Sequence, residues 1–211
     1  MKAKITDKVY IESGNSQYTM LFIEMGFTVT ADFDAASLVC FTGGSDVSPH
    51  LYKDSAHKAT YSDSVRDAKE QRLFKECLKQ GKSMVGICRG AQFLNVMNGG
   101  RMYQDVRQHT QSHDLLDTCT GNKIHVTSTH HQMMMPTQDA VLIATASMNG
   151  RREWFDGYVA RDDYSDQDIE VVLYPGTKCL CFQPHPEFSG PGTDAMKDYF
   201  TSLVLGHLIS D

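Results

Sequence analysis

The 211-residue chain lacks the features that mark membrane-spanning and nucleic-acid-binding proteins. No apolar run approaches the roughly 18 residues that a membrane-spanning helix needs. Lysines near the first residue are followed by no apolar stretch, so we expect no secretory signal peptide. Acidic residues outnumber basic ones by 26 to 20, and the net charge of −6 disfavours a surface that tracks phosphates. We therefore expect neither a membrane nor a nucleic acid as a partner.

Cysteine is present, but without the spacing of a metal-binding motif. The six cysteines include no Cys-x-x-Cys pair, so a structural zinc ion held by thiolates is not expected. Free thiols fit a reducing compartment, which predicts a cytoplasmic protein. With 41% apolar residues the chain can build a substantial core, and we expect one domain over residues 1–211.

Strand and helix patterns alternate in the first half of the chain. Strands are predicted over residues 8–11, 27–30, 38–41 and 84–87, and the main helices over 64–79 and 91–97. A further helix is expected to begin near Ser16 as its cap, and Gly81 is the expected end of the helix over 64–79. Strands separated by helices of this length imply right-handed crossovers and a mainly parallel sheet.

The second half of the chain reads differently. Strands are predicted over residues 124–127, 141–146, 169–174 and 178–182, with no long helix between them. The turn Tyr-Pro-Gly-Thr at 174–177 predicts that the last two of these strands pair antiparallel. A terminal helix is expected over 192–208. The charged stretch 161–168 is expected to form a mobile surface loop.

The most informative motif is the run MVGICRGAQ at residues 84–92. An apolar strand pattern leads through Gly86 to the thiol of Cys88, and Gly90 opens a helical pattern. This arrangement presents a nucleophile on a sharp strand-to-helix turn, as in the Gly-x-Ser-x-Gly elbow. A helix N-terminus favours the thiolate form of such a cysteine. The alternative is a buried core cysteine, which the two flanking glycines disfavour.

A base for this nucleophile is offered by the run CLCFQPHPE at residues 179–187. His185 stands between two prolines, which fix the backbone on both sides of the imidazole. Glu187 can accept a hydrogen bond from one ring nitrogen and orient the other towards the thiol. Cys88, His185 and Glu187 thus form a candidate set of nucleophile, base and orienting group. Taken alone, the segment also fits a solvated His-Pro turn.

A glycine pair completes the candidate site. The run TGGSDVSP at residues 42–49 follows an apolar strand pattern. Backbone N–H groups at Gly43 or Gly44, together with the N–H of Arg89, would form an oxyanion hole for acyl transfer. An ordinary turn is the alternative interpretation of this run.

These motifs carry a family resemblance. GICRGAQ at 86–92, with QPHPE at 183–187, resembles the class I glutamine amidotransferase superfamily. Within it, the γ-glutamyl hydrolase branch, which includes γ-glutamyl-γ-aminobutyrate hydrolases, has stretches similar to four further runs: GGSDVSPHLY at 43–52, Arg66-Asp67 with Glu70, GGRMYQDV at 99–106 and STHHQ at 128–132. The chain departs from the family pattern at Pro184, where an aromatic or apolar residue is usual.

The resemblance implies both a fold and a mechanism. The fold would be a flavodoxin-like three-layer α/β sandwich with a mainly parallel central sheet and antiparallel strands near the C-terminus. Cys88 would attack a γ-glutamyl amide and form a thioester, while His185 would act as base and then acid and Glu187 would orient it. Gln92 and the segment around His130 would contact the glutamyl group. The implied chemistry needs no metal and no cofactor.

Three functions fit these residues. The first is a stand-alone cysteine hydrolase acting on a small-molecule γ-glutamyl substrate, and it accounts best for the complete set of catalytic residues. The second is a glutaminase subunit that supplies ammonia to a separate synthetase partner, since no synthase domain is evident in the chain. The third is a catalytically silent binding protein. A second copy of the chain, forming a homodimer, is a further candidate partner.

Nine histidines raise the question of a metal site. Zinc coordination by the neighbouring residues His125, His130 and His131 is weighed against a substrate contact for His130, which we favour. Four other histidines are expected to be solvated loop residues: His50, His57, His109 and His113. Three consecutive methionines at 133–135 are expected to pack in the core.

Overall fold

The computed structural model describes residues 7–147, 154–156, 159–161, 168–190 and 192–209. Its strands are β1 (Lys8–Glu12), β2 (Thr28–Val29), β3 (Leu38–Phe41), β4 (Ser83–Ile87), β5 (Arg101–Tyr103), β6 (Asp105–Val106), β7 (His113–Asp117), β8 (Lys123–Val126), β9 (Met133–Met135), β10 (Val141–Ala146), β11 (Trp154–Asp156), β12 (Val159–Arg161), β13 (Ile169–Tyr174) and β14 (Cys179–Phe182). Its helices are α1 (Ser16–Glu24), α2 (Ser64–Gln80), α3 (Arg89–Met97) and α4 (Asp194–Leu208), with 3₁₀ turns at Pro49–Tyr52 and Pro175–Thr177.

A nine-stranded sheet organises the described residues, in the order β2-β1-β3-β4-β14-β13-β10-β7-β8. The first five strands of this order are parallel, and the remaining pairings are antiparallel. The mainly parallel α/β sheet is therefore confirmed. The antiparallel pairing of β13 with β14, predicted from the turn between them, is confirmed as well.

Helices cover both faces of the sheet because its central strands are apolar on both faces. Residues of α1 and α4, among them Phe22 and Phe200, pack with Leu38 and Cys40 of β3 in one core cluster. Residues of α2 and α3 pack with the alternate residues of the same strand in a second cluster. Successive side chains of a strand point to opposite faces, so this alternation defines the three layers.

The helix ends follow from local capping chemistry. Asp63 caps α2 by accepting hydrogen bonds from the amides of Val65 at 3.0 Å and Arg66 at 3.1 Å. Gly81 ends it in the left-handed conformation at φ = +66°, as predicted. The expectation that Ser16 caps α1 was wrong, because the side chain of the preceding residue, Asn15, accepts from the Gln17 amide at 2.9 Å. In the described part of the chain, no helix combines the length and the apolar character that crossing a membrane demands.

Several loop assignments need correction. His50 is exposed as expected, but His57, His109 and His113 are buried. The charged stretch predicted as a mobile loop ends in Asp168, which is 1% exposed and lies 3.0 Å from a ring nitrogen of His109. Burying the imidazoles beside carboxylates offsets the cost of removing both from water. Residues 162–167 of that stretch lie outside the described residues.

Candidate active site

Cys88 occupies the turn between β4 and α3. Its backbone has φ = +53° and ψ = −113°, a conformation that non-glycine residues rarely adopt and that surrounding contacts must impose. The Cys88 amide donates to the Phe182 carbonyl at 2.9 Å, and the Gln92 amide donates to the Cys88 carbonyl at 3.1 Å. The thiol therefore stands at the N-terminus of α3, where free N–H groups and the helix dipole favour negative charge.

Glycines on both sides of Cys88 allow this turn because side chains do not fit there. A Cβ built on Gly90 would lie well inside 3.0 Å of the Phe41 carbonyl. One built on Gly86 would meet the backbone of Gly90 equally closely. The first turn of α3 thus packs against β3 and β4 at backbone distance, which is the close approach that the two glycines predicted.

His185 and Glu187 follow the end of β14, the neighbour of β4 in the sheet. Nδ1 of His185 lies 2.7 Å from Oε1 of Glu187, and both residues are buried. The imidazole stacks on the Phe188 ring at 4.4 Å, with an angle of 2° between the planes. The backbone of His185 is held by Thr127, whose carbonyl accepts from the His185 amide at 3.2 Å and whose hydroxyl donates to the His185 carbonyl at 2.8 Å. These contacts fix the plane and direction of the ring.

Cys88 and His185 meet at the carboxyl end of the parallel strands. The thiol of Cys88 and the imidazole of His185 line the same cavity. A Cβ built on Gly43 would lie 3.3 Å from Cε1 of His185 and 3.6 Å from Cβ of Cys88, so the three residues adjoin. Burial acts to lower the pKa of His185, but the hydrogen bonds and charges of Cys88 and Glu187 outweigh it and raise the pKa to about 10. A protonated imidazole beside the sulfur is therefore favoured.

Thr129 is a further contact of the imidazole that the sequence did not suggest. Its Oγ1 lies 2.8 Å from Nε2 of His185, the ring nitrogen opposite the one that faces Glu187. With Nδ1 directed at the carboxylate, Nε2 is the nitrogen left to exchange a proton with the thiol or a substrate. The hydroxyl of Thr129 thus fixes the position of Nε2.

The backbone amides predicted to form an oxyanion hole differ in their surroundings. The amide of Gly43 donates to the Tyr18 hydroxyl at 3.0 Å. Gly44 has φ = +142° and, together with Arg89, lines a cavity beside Cys88 that is described below. Of the two glycine amides, that of Gly44 is therefore better placed to bind a ligand.

A buried charge network supports the nucleophile from behind. The guanidinium of Arg89 pairs with Asp67 and Glu70 of α2. Arg66 pairs with Glu70 at 2.7 Å and donates to the Gly43 carbonyl at 2.9 Å. The network therefore joins α2 to both the Cys88 turn and the glycine loop. Arg66, Asp67 and Glu70 were noted in the sequence, but the pairing of Asp67 and Glu70 with Arg89, next to Cys88, was not foreseen.

A cavity of about 350 Å³ opens beside Cys88. It is lined by Gly44, Ser45, Asp46, Tyr61, Cys88, Arg89, Gln92, Thr129, His130, His131, Gln132 and His185. Both predicted substrate contacts lie in this wall, but protein groups occupy their side chains. Gln92 donates to the Gln132 carbonyl at 3.1 Å and to Gln183 at 3.2 Å, and the ring nitrogens of His130 face protein oxygens.

An ion pair in the cavity wall was missed by sequence reasoning. His131 Nε2 lies 3.2 Å from Oδ1 of Asp46, and the side chain of His131 is 34% exposed. The hydrogen bond to Asp46 raises the pKa of His131, although burial opposes the shift. The cavity wall therefore presents an imidazole and a carboxylate whose nearest atoms are 3.2 Å apart.

A second cluster lies behind this wall. His109, His113, His130 and Glu170 are all buried, and each offers one ligand atom to a group that spans no more than 4.8 Å. Among the described residues, this is the group of side chains whose donor atoms fit a metal ion.

Comparisons with known proteins define the class. A solved glutamine amidotransferase from Thermotoga maritima superposes with a TM-score of 0.58 at 13% identity, covering 97% of this chain and 86% of that chain. The PurLQS structure from the same organism superposes with a TM-score of 0.63 at 17% identity, covering 94% of this chain and 98% of the other. At these identities the likeness concerns the fold, which is the flavodoxin-like α/β fold of class I glutamine amidotransferases.

Comparison of the sequence with family models identifies the family. The family model for peptidase C26 matches residues 28–187, which is most of the chain, and the chain therefore belongs to the peptidase C26 family. A glutamine amidotransferase-like protein of Lactococcus lactis is 40% identical over 94 residues, which cover 44% of this chain and 39% of that protein. The chain thus matches well under two-thirds of this relative's length. Family membership supports an activity of the hydrolase or amidotransferase type.

Proposed function

We propose that the protein hydrolyses a γ-glutamyl amide, either glutamine or a γ-glutamyl amine, through a glutamyl thioester on Cys88. The observation that carries the proposal is that Cys88 and His185 adjoin in the wall of one cavity, with the His185 ring 2.7 Å from the Glu187 carboxylate. A thiol at a helix N-terminus, paired with an imidazole that a carboxylate orients, is the arrangement that acyl transfer to sulfur requires. The γ-glutamyl hydrolase branch is the part of the superfamily that the motifs favour.

Each residue of the site takes a defined part in this reaction. The Cys88 thiolate attacks the amide carbonyl, and the oxyanion that forms accepts hydrogen bonds from the amides of Gly44 and Arg89. Protonated His185 gives its proton to the leaving nitrogen as the C–N bond breaks. Neutral His185 then takes a proton from water, which attacks the thioester and releases glutamate while Cys88 regains its electron pair. Glu187 stabilises the imidazolium throughout.

The ion pair in the cavity wall suggests how the glutamyl end is recognised. A γ-glutamyl group carries an α-ammonium and an α-carboxylate. Asp46 would bind the ammonium, and protonated His131 would bind the carboxylate. Both groups line the same cavity as Cys88, so a substrate held between them can extend its side-chain amide towards the sulfur.

The catalytic role of Cys88 is tested by substitution and labelling. We expect Cys88→Ala to lower glutamate release from γ-glutamyl amides by at least about 10³-fold, because the thioester cannot form. The matched control is Cys119→Ala, which removes an exposed cysteine and should leave the rate unchanged. A glutamine-analogue electrophile should add to Cys88 alone, as read by peptide mass spectrometry. Unchanged turnover in Cys88→Ala would reject the proposal.

A second function is favoured by the PurLQS likeness. In that case, the same half-reaction would supply ammonia to a synthetase partner rather than release it to water. Glutaminase activity that arises only with a co-purifying synthetase would support this function. Full activity of the isolated chain on γ-glutamyl amines would favour the stand-alone hydrolase. We place either activity in the cytoplasm, where the free thiols would remain reduced.

A further inference from the structure

Three histidines and one glutamate converge on a single point behind the cavity wall. His109, His113, His130 and Glu170 are each less than a tenth exposed. His130 is shared with the wall of the cavity, whereas the other three are not among the residues that line it. The cluster is therefore separate from the contacts between Cys88, His185 and Glu187.

The distances from the Glu170 carboxylate to the three nitrogens match the ligand spacing around a tetrahedral ion. Oε1 of Glu170 lies 3.0 Å from Nδ1 of His109, 3.4 Å from Nε2 of His113 and 3.1 Å from Nε2 of His130. Zinc bonds of about 2.0–2.1 Å in a tetrahedron hold ligand atoms roughly 3.3 Å apart. The carboxylate oxygen thus already lies at ligand spacing from all three nitrogens.

The opposite nitrogen of every ring has its own hydrogen-bond acceptor. Nε2 of His109 lies 3.0 Å from Oδ2 of Asp168. Nδ1 of His113 lies 3.0 Å from the Gln111 carbonyl, and Nδ1 of His130 lies 2.8 Å from the Gln132 carbonyl. When the outward nitrogen of each ring donates its proton to such an acceptor, the inward nitrogen is available to coordinate an ion. Histidine ligands of metals characteristically have such outer partners.

Two inward nitrogens lack a hydrogen bond. Nδ1 of His109 and Nε2 of His113 have no partner among the described residues, although Glu170 is near, because the geometry does not align them with its oxygen. Buried polar atoms of this kind are costly to leave unpaired. Coordination to an ion at the centre of the cluster would satisfy both.

We propose that His109, His113, His130 and Glu170 bind one divalent metal ion, with zinc as the best match. Three imidazole nitrogens and one carboxylate oxygen are zinc ligands, and the Irving–Williams order ranks zinc above manganese and ferrous iron for such a site. Four protein ligands without an open position describe a structural site. The proposal is independent of the γ-glutamyl substrate.

The ion would connect three segments of the chain at one side of the candidate active site. His109 and His113 belong to the segment that enters β7, Glu170 belongs to β13, and His130 belongs to the loop after β8. The same loop carries Thr129, whose hydroxyl contacts the reactive nitrogen of His185. Metal binding thus holds the cavity wall against the catalytic imidazole.

The test measures metal content and thermal stability of the full chain, prepared without a histidine tag. The protein is stripped with a chelator, titrated with Zn²⁺ and assayed by mass spectrometry for bound metal. We expect one Zn²⁺ per chain and a higher Tm with zinc than without it. Co²⁺ in place of Zn²⁺ should give the visible absorption of a tetrahedral site. A Cys88→Ala background prevents zinc on the catalytic thiol from being counted.

Variants assign the ion to these residues. Glu170→Gln and His113→Gln should each lower the affinity for zinc at least tenfold and lose the zinc-dependent rise in Tm. His125→Gln is the matched control, because His125 is an exposed histidine that pairs with Asp114 on the surface. Zinc content and Tm of the parent protein test the proposal even if a variant does not fold. No bound zinc and no change in its Tm, or zinc retained by both cluster variants, would overturn the proposal.

Discussion

Replacing Glu187 by glutamine removes the negative charge of the side chain but keeps its size and shape. The amide keeps an oxygen within reach of Nδ1 of His185, which the carboxylate approaches to 2.7 Å. A hydrogen bond to a charged group contributes about 1.5–3 kcal/mol and a neutral one about 0.5–1.5 kcal/mol. The imidazolium therefore loses roughly 1–2 kcal/mol of stabilisation. Because one pKa unit corresponds to about 1.4 kcal/mol, the pKa of His185 should fall by roughly one unit from its value of about 10.

The pH dependence of activity measures this shift. In the proposed mechanism the protonated form of His185 is active, so kcat/KM falls as pH rises through the pKa. We expect the alkaline limb of Glu187→Gln to begin roughly one unit lower than in the parent protein, and the rate at about pH 10 to be roughly fivefold lower. The assay is the initial rate of p-nitroaniline release from γ-glutamyl-p-nitroanilide at constant ionic strength. Glu76→Gln, at an exposed position of α2, is the control.

Folding stability provides a second readout with a defined sign. The pKa of His185 is about 10 in the folded chain and 6.5 in a model peptide. Proton binding to His185 therefore stabilises the fold in full below about pH 6.5, and this contribution is lost as pH rises towards 10. Glu187→Gln should lower Tm more near pH 6 than near pH 10. An alkaline limb that coincides with that of the parent protein would refute the assigned role of Glu187.

Two substitutions test the supports of the nucleophile turn, with urea unfolding as the measurement. Gly90→Ala should lower the free energy of unfolding by about 1–3 kcal/mol, because its Cβ would overlap the Phe41 carbonyl. Gly176 has open space around it, so the control Gly176→Ala should change the free energy of unfolding little. Equal effects of the two substitutions would contradict the argument. Glu70→Gln should lower it by roughly 3–5 kcal/mol, because buried Arg89 loses one of its charged partners. A loss below about 0.5 kcal/mol would show that the buried pair does not stabilise the fold.

The candidate catalytic residues were predictable from sequence because each stands in a short motif at the end of a strand. The glycines around Cys88 indicate a backbone turn that side chains would block. His185 and Glu187 are only two positions apart in the sequence. The carboxyl ends of neighbouring parallel strands meet at one edge of the sheet. Since β4 and β14 are neighbours, these local motifs were sufficient to predict a joint site.

The histidine cluster was not predictable in the same way. His113 starts β7 and Glu170 belongs to β13, and these strands are separated in the sheet by β10. Their proximity depends on the strand order of the antiparallel half, for which the sequence offered only the turn before β14. His109 also looked like a loop residue, because no apolar periodicity surrounds it. Polar residues that are buried through distant partners leave no periodic signal.

The proposed catalytic pair, Cys88 and His185, is supported from two directions by separate buried networks. Arg89 and the carboxylates of α2 hold the turn that carries Cys88 and, through Arg66, the glycine loop. His185 is held instead by the loop after β8, through Thr127 and Thr129, and that loop is anchored by His130 in the histidine cluster. The two networks share no residue, so the distance between sulfur and imidazole depends on both. Weakening either one should displace one member of the pair while the other stays in place.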